Sequence, residues 1–343
     1  MARVLSGIKP TGEIHLGNYL GAVRHWVAAQ DGAATPDDAL YCVVDLHALT
    51  VPWESKAFAD ITRRTAMVLL ASGLDPARCT LFVQSHVPEH TELTWLLNCV
   101  ATVGELRRMT QFKDRSARGG TAGQESLSAG FFDYPVLMAA DVLVYDTNLV
   151  PVGDDQRQHL ELARDIAIRF NHRFGDTFVV PEATVPPVGA RIMDLQRPDA
   201  KMSKSDDSPQ GTLPILDPPA ALSKRIKSAV TDSDGTVRFD PTAKPGVSNL
   251  LSILAAVTDA PITAVEGEYA GSGYGALKSA VADAVVELVT PIQARYAELA
   301  ADPAEVDRIL AAGAERAEVI ARPVIARARS AAGLLPRAGH AVR

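Results

Sequence analysis

The chain has little cysteine. Cys42, Cys79 and Cys99 are the only three in 343 residues. They are odd in number, far apart and set among apolar neighbours. That excludes a disulfide framework or a thiolate metal cage and makes each a buried small hydrophobe. No apolar run reaches the ~18 residues a spanning helix needs. The stretch after Met1 is too short for a signal-peptide core and reads as a first strand. A cytoplasmic protein with no membrane contact is expected. A general basic surplus is also missing. The net charge of −7 and the pI near 5.6 argue against a nucleic-acid coat protein. No repeat of ~20–50 residues is evident. Hydrophobic residues make up 47% and charged residues 22%, enough for a full core and unlike a disordered chain. The length suits two domains.

Basic character is local. RRMTQFKDRSAR (107–118) carries five basic residues and one acid, and Arg322 to Arg343 carries five arginines and no acid. Such patches on an acidic protein suit an anionic partner met at defined places, a tRNA for example, or else solvated helix faces. HVPEH places His86 and His90 four apart, the spacing of a helical metal pair. Pro88 interrupts any continuous helix through both, and no third ligand accompanies them, so no metal site is assigned.

Three apolar runs read as buried parallel strands: RVLSGI (3–8), LYCVVDL (40–46) and CTLFVQS (79–85). Between them lie helical patterns at 18–30 and 57–73, the second stopped by Gly73 and Pro76. Strand alternating with helix predicts an α/β fold, a Rossmann-like doubly wound parallel sheet. SARGGTAGQESLSAG (116–130) reads as a mobile loop. From about residue 206 Ala-rich amphipathic helices take over, so a C-terminal helical domain (206–343) is expected behind a catalytic domain (1–205).

PTGEIHLGN (10–18) links the first strand to the first helix, where backbone N–H groups and the helix dipole favour anions. Gly12 permits a turn, and Gly17 lets a flat ring approach the backbone. His15 and Asn18 share a helical face and can donate to phosphate oxygens, although an ordinary N-cap turn would look much the same. Far downstream, KMSKS (201–205) offers two ammonium groups and two hydroxyls, with no apolar face to bury. It is either a solvated loop or a clamp for phosphate oxygens. A charge donor of that kind is worth ~3–4 kcal/mol of barrier.

A HIGH-type element after the first strand with a downstream KMSKS resembles a class I aminoacyl-tRNA synthetase. SGIKPTGEIHLGNYLGA, MTQFKDRSA, YPVLMAADVLVYDTNLVPVGDDQRQHLELARDIA and KSAVTDSDGTVRFDPTAKPGVSNLLSI, in that order, resemble the bacterial-type tryptophanyl-tRNA synthetases from about residue 3 to 335.

The resemblance implies catalytic roles for His15, Asn18, Lys201 and Lys204. It implies ATP contacts from Lys9, Pro10, Thr11, Gly17, Gly153, Asp154, Asp155, Ile192, Met202, Ser203 and Ser205. The two aspartates would take the ribose; acids favoured at the start of the following helix are the plainer explanation, and both can hold. Magnesium is expected to arrive with ATP, held by phosphates and waters. Tyr134, Met138 and Asp141 recur at i, i+4 and i+7 and so share a helix face. A core stripe would look similar, but a buried carboxylate needs a partner, and an indole N–H would serve. The resemblance gives Asp141 that role, with His47, Gln156, Leu5 and Gly7 nearby; His47 alone could equally be a satisfied core histidine. It also implies a homodimer through an inserted segment (about 105–150) and tRNA(Trp) read by the helical half.

Lys9 departs from the family, where glutamine is usual. Forms with this KPTG pattern resemble auxiliary synthetases that resist the inhibitor indolmycin. Leu5 stands where an aromatic is common. The function expected is ATP-dependent tryptophan activation and transfer to tRNA. A tyrosine-specific relative, a small nucleotidyltransferase and a non-catalytic paralogue that binds tryptophan or nucleic acid stand as alternatives.

Overall fold

Five short strands make one parallel sheet in the order β3-β2-β1-β4-β5: β1 Val4–Ile8, β2 Ala39–Val43, β3 Thr80–Val83, β4 Leu149–Pro151 and β5 Glu182–Thr184. The structure, a computed structural model, describes residues 3–118, 127–151, 156–184, 191–203 and 209–336. Side chains alternate along the strands: Tyr41 and Val43 enter the core on one face, Leu40 and Cys42 the core on the other. Both faces are covered, as the unbroken apolar runs require.

Two of the expected strands end early. β2 stops at Val43, and Asp45–Ala48 turn into a short helix. β3 stops at Val83 and leads into a 3-10 turn, Gln84–His86. In both the chain leaves the sheet where polar side chains, His47 and Gln84, must turn toward Asp141. β4 and β5, three residues each, are too short to leave a sequence pattern.

The helices of the first half are α1 Leu16–Asn18, α2 Arg24–Gln30, α3 Asp45–Ala48, α4 Ser55–Ala71, α5 Glu89–Asn98, α6 Val103–Arg108, α7 Thr110–Arg118, α8 Ala129–Leu143 and α9 Arg157–Phe174. A π-helical turn, Tyr19–Val23, joins α1 to α2. Gly73, with φ +111°, closes α4 as its position predicts. α7 runs to Arg118, into the stretch read as a loop; residues 119–126 of that stretch lie outside the described residues. Cys42 and Cys79 are buried as expected, but Cys99 is exposed, because it follows α5 on the solvent side.

The second half comprises α10 Pro219–Lys227, α11 Pro245–Thr258, α12 Ile262–Tyr269, α13 Gly273–Ala301 and α14 Pro303–Ala331. No single helix among the described residues is long and apolar enough to cross a membrane. α11 and α12 pass that test only together, across a 116° bend. The apolar residues of α11, including Leu250, Leu251 and Ile253, are core.

α14 closes the edge of the sheet. Val306 and Leu310 pack into the core on one side of β3, and Ala314, Ala317, Ala321 and Val324 into the core on the other. Between them Gly313 touches the strand: a Cβ there would lie 1.8 Å from the Leu81 carbonyl oxygen. Glycine is needed for that approach, and the helix shields an edge that would otherwise be open to pairing. The C-terminal arginines, which suit either phosphate contacts or solvated faces, lie beside polar groups of the first half. Arg327 reaches Asp146 and the Thr177 carbonyl, each at 2.6 Å, Arg329 meets Glu92 at 2.5 Å, and Arg322 lies 3.6 Å from Glu89. Arg337 and Arg343 lie outside the described residues.

Candidate active site

β1 and β2 deliver part of the singled-out set, from Leu5 to Asn18 and His47, to one end of the sheet. β1 lies at its centre, between β2 and β4, where the strand order reverses; that is where α/β sheets bind ligands. Its C-terminal end is open: Gly7 and Lys9 are exposed while Leu5 is buried below them. Lys9 is solvent-accessible yet crowded by protein, and that desolvation lowers its ammonium pKa. Pro10 is buried and Thr11 half-buried, and Gly12 turns the chain at φ +67°.

His15 caps α1. Its Nδ1 accepts from the Asn18 N–H at 3.2 Å, and Asn18 Oδ1 accepts from the His15 N–H at 3.3 Å. The cap is therefore real, and it has a chemical consequence. With Nδ1 accepting, a neutral ring carries its proton on Nε2, so the cap fixes a donor tautomer. Gly17 sits against this ring: an added Cβ would lie 3.1 Å from His15 Nδ1 and 3.6 Å from Ile192 Cβ. The first helix and residue 192 thus meet across a glycine.

Ile192 leads to the lysine segment. The Ile192 carbonyl accepts from the Met202 N–H at 3.1 Å, and Met193 forms an antiparallel bridge with Lys201. The chain beyond returns to the first turn: Leu16 N–H donates to the Leu213 carbonyl at 2.8 Å and Ile215 N–H to the Ile14 carbonyl at 3.0 Å. The lysine segment does have an apolar anchor, contrary to expectation. Met202 is buried in the core, while Lys201 is exposed and Ser203 half-buried. Ile192 is buried as well, its Cβ facing Gly17.

Asp141 lies on α8 with Tyr134 and Met138, as the spacing predicts. Its partner is not left to a ligand. Oδ2 accepts from His47 Nε2 at 2.8 Å; Oδ1 accepts from His90 Nδ1 and from Gln84 Nε2, each at 2.7 Å. A carboxylate offers about four lone-pair directions, so three protein donors leave one. Burial pushes the Asp141 carboxyl upward, but His47 and His90 outweigh it and hold the group down at about 2. His47 Nδ1 and Gln84 Oε1, both buried, have no hydrogen-bond partner among the described residues. Buried polar atoms without partners are costly, so each retains hydrogen-bonding capacity on this wall.

Tyr134 donates to Gln111 Oε1 at 2.7 Å and is approached by His159 Nε2 at 2.8 Å. The Lys9 ammonium stands 5.5 Å from the Tyr134 ring centroid, within cation–π range. Gly7 packs on Val44, with only 2.8 Å from an added Cβ to Cγ1, just before the helix that carries His47. The end of β1 is thereby joined to the Asp141 wall on both sides. Gln156 stands half-buried at the start of α9. Gly153, Asp154, Asp155, Lys204 and Ser205 lie outside the described residues.

His86 and His90 do not act as a pair, as Pro88 between them implies. His86 is exposed, whereas His90 is buried and joins Asp141 to the Tyr145 hydroxyl, 2.6 Å from its Nε2. Gln84 was passed over too. Its one signal was an amide at the end of an apolar strand.

The sequence pattern described as "tRNA synthetases class I (W and Y)" matches residues 1–290, and the chain belongs to that family. Within it, the similarity is to the tryptophan-specific bacterial members. A tryptophan–tRNA ligase of Streptomyces avermitilis is 53% identical over 335 residues, covering 97% of each chain. The tryptophanyl-tRNA synthetase of Mycoplasma pneumoniae superposes with a TM-score of 0.87 at 35% identity, covering 98% of each chain. That of Campylobacter jejuni, solved with ADP and tryptophan, gives 0.81 at 34% identity over 97% of this chain and 100% of its own.

Proposed function

We propose that the chain is a tryptophan–tRNA ligase that activates L-tryptophan with ATP and passes it to tRNA(Trp). One observation carries the site assignment: His15, Gly17 and Ile192 meet, and Ile192 and Met193 hold Lys201 and Met202. Two segments far apart in sequence thus meet, and Lys9, beside the first, reaches the Tyr134 ring on the helix that carries Asp141.

In the first step a tryptophan carboxylate oxygen attacks the α-phosphorus of ATP. The bond from that phosphorus to the bridging oxygen breaks, and pyrophosphate leaves. In the second, the terminal ribose hydroxyl of the tRNA attacks the carbonyl of tryptophanyl-adenylate, and AMP leaves. Neither step needs a covalent enzyme intermediate, so the protein contributes alignment and charge. His15, through the Nε2 donor its cap selects, and Asn18, Lys201 and Lys204 act on the phosphates. Lys9, Pro10, Thr11, Gly17, Ile192, Ser203 and Ser205 shape the nucleotide site, with Met202 anchoring the segment from the core. Gly153, Asp154 and Asp155 take the ribose. Magnesium comes with ATP and is held chiefly by its phosphates.

Asp141 takes the indole N–H in its remaining lone pair. Tyr134, Met138, His47, Gln156, Leu5 and Gly7 form the surrounding wall. A site built to receive that donor rejects a side chain lacking it by ~10⁴–10⁵-fold. The Campylobacter relative, solved in complex with ADP and tryptophan, supports binding of an adenine nucleotide and of tryptophan.

A cytoplasmic location fits these substrates, and the helical half is the part assigned to reading the tRNA. A homodimer is supported by an apolar surface beside the inserted segment. Trp95 and Val103 are exposed, and Val103 borders a cavity of about 330 Å³ walled also by Asn98, Leu106 and Phe132. The deciding experiment is ATP–pyrophosphate exchange with tryptophan and with tyrosine. Exchange driven by tryptophan alone is expected. Exchange driven by tyrosine would move the chain to the other specificity, and no exchange from folded protein would make it a binder.

A further inference from the structure

Asn249, in the C-terminal half, grips the backbone that leads to Lys201. Its Oδ1 accepts from the Met193 N–H at 2.8 Å, and its Nδ2 donates to the Met193 carbonyl at 2.9 Å. One side chain satisfies both backbone groups of one residue, as a neighbouring strand would. On its other side Met193 bridges to Lys201, and the hairpin is closed by Asp194 N–H on the Ala200 carbonyl at 2.8 Å. Its turn is set by Asp194 Oδ1, which accepts from the Gln196 and Arg197 N–H groups at 2.7 and 2.9 Å. Asn249 therefore serves as the third member of a two-stranded hairpin.

Asn249 is buried and sits on α11, whose start is fixed on two sides. Lys244, itself buried, pairs with Asp232 at 3.0 Å and with Asp234, and donates to the Tyr274 hydroxyl at 3.0 Å. Gly246 lies against Val230, where a Cβ would fall 2.0 Å from the carbonyl oxygen. The Val230 N–H in turn donates to the Leu195 carbonyl at 2.8 Å. Residues 230–249 thus hold the hairpin at Met193 and at Leu195. The block KSAVTDSDGTVRFDPTAKPGVSNLLSI, which the substrate contacts leave unexplained, acquires a task.

We propose that Asn249 is a positioning residue for the first step: through Met193 it sets where Lys201 stands relative to His15, and so controls the rate of adenylate formation without touching substrate. This rests on the role given above to Lys201. Both carbonyl and N–H of Met193 lose their partner in Asn249→Ala, and Lys201 loses its register. A misplacement of about 1 Å costs up to ~100-fold in rate.

The test is tryptophan-dependent pyrophosphate exchange by wild type, Asn249→Ala, Lys201→Ala and the double variant, with thermal denaturation alongside. Asn249→Ala is expected to lower kcat by about 10–100-fold while leaving the tryptophan KM unchanged. In the Lys201→Ala background it should change kcat by less than about twofold, because its effect is routed through that lysine. Asn249→Asp, which accepts but cannot donate, gives the same comparison if the alanine variant does not fold. Multiplicative losses in the double variant, or a raised tryptophan KM at constant kcat, would overturn the proposal by showing a structural role only. Full exchange from Lys201→Ala would overturn it by removing the assignment it rests on, whereas wild type without exchange would reject the enzyme assignment itself.

Discussion

His90 Nδ1 stands 2.7 Å from Asp141 Oδ1, and its other ring nitrogen stands 2.6 Å from the Tyr145 hydroxyl. Since a carboxylate only accepts, Nδ1 must carry a proton here, and in the neutral ring Nε2 accepts from tyrosine. Asp141 is thereby held ionised in a dry site and aimed by donors that leave it one direction open. Asp141→Asn replaces an acceptor by an N–H that faces another donor. The kcat/KM for tryptophan in pyrophosphate exchange should fall by about 100-fold, the cost of a charged hydrogen bond plus a buried mismatch, with the KM for ATP little changed. An unaltered tryptophan KM would exclude Asp141 from the pocket.

Lys9 sits within reach of the Tyr134 ring, on the helix that carries Asp141. A cation at that place acts on whatever ring enters beside it. If Lys9 disfavours indolmycin more than tryptophan, Lys9→Gln should lower the indolmycin inhibition constant by more than it lowers the tryptophan KM. Equal changes in the two constants would show that Lys9 does not discriminate between them.

Glu105 closes the N-terminal cap of α6 with Thr102 and takes the Arg169 guanidinium. The Arg169 hydrogen bond, aided by Thr102, lowers its pKa from 4.5 to about 2. A carboxylate more acidic in the folded state than in the unfolded one stabilises the fold above the unfolded value, and that help is lost as pH falls. The window is from about 4.5 down to about 2. The melting temperature of Glu105→Gln should be lower than wild type near neutrality, and its decline through that window should be shallower. Parallel curves would mean that Glu105 gains nothing from Arg169.

Gly313 admits no side chain. With Leu81 O only 1.8 Å from an added Cβ, Gly313→Ala must push α14 off β3. A loss of about 3 kcal/mol, the upper end of overpacking costs, is expected in denaturant unfolding. A midpoint equal to wild type would show that the helix can shift without loss.

The parts of the site that lie close in sequence were legible. His15, Gly17 and Asn18 form one turn, Lys201 to Ser203 one hairpin strand, and Tyr134, Met138 and Asp141 one helix face. Each is a local pattern read by spacing. What was not legible depends on topology. His90 and Gln84 reach Asp141 only because β3 ends two strands from the centre of the sheet and α5 starts beside it. Asn249 carries no local sign that it meets Met193, 56 residues away. Gly313 in an Ala-rich helix gave no sign that a strand edge would lie against it. The buried Met202 was missed because its four charged and polar neighbours outweighed one thioether in a reading by composition.

The way α14 straps the rim of the sheet has a consequence for biosynthesis. About 220 residues separate β3 from the helix that shields it, so the strand leaves the ribosome long before its cover is made. Until then the nascent sheet exposes a bare margin to every other extended chain nearby. An enzyme that supplies translation thus leaves a strand edge unguarded, in its own making, until that much later helix has been translated.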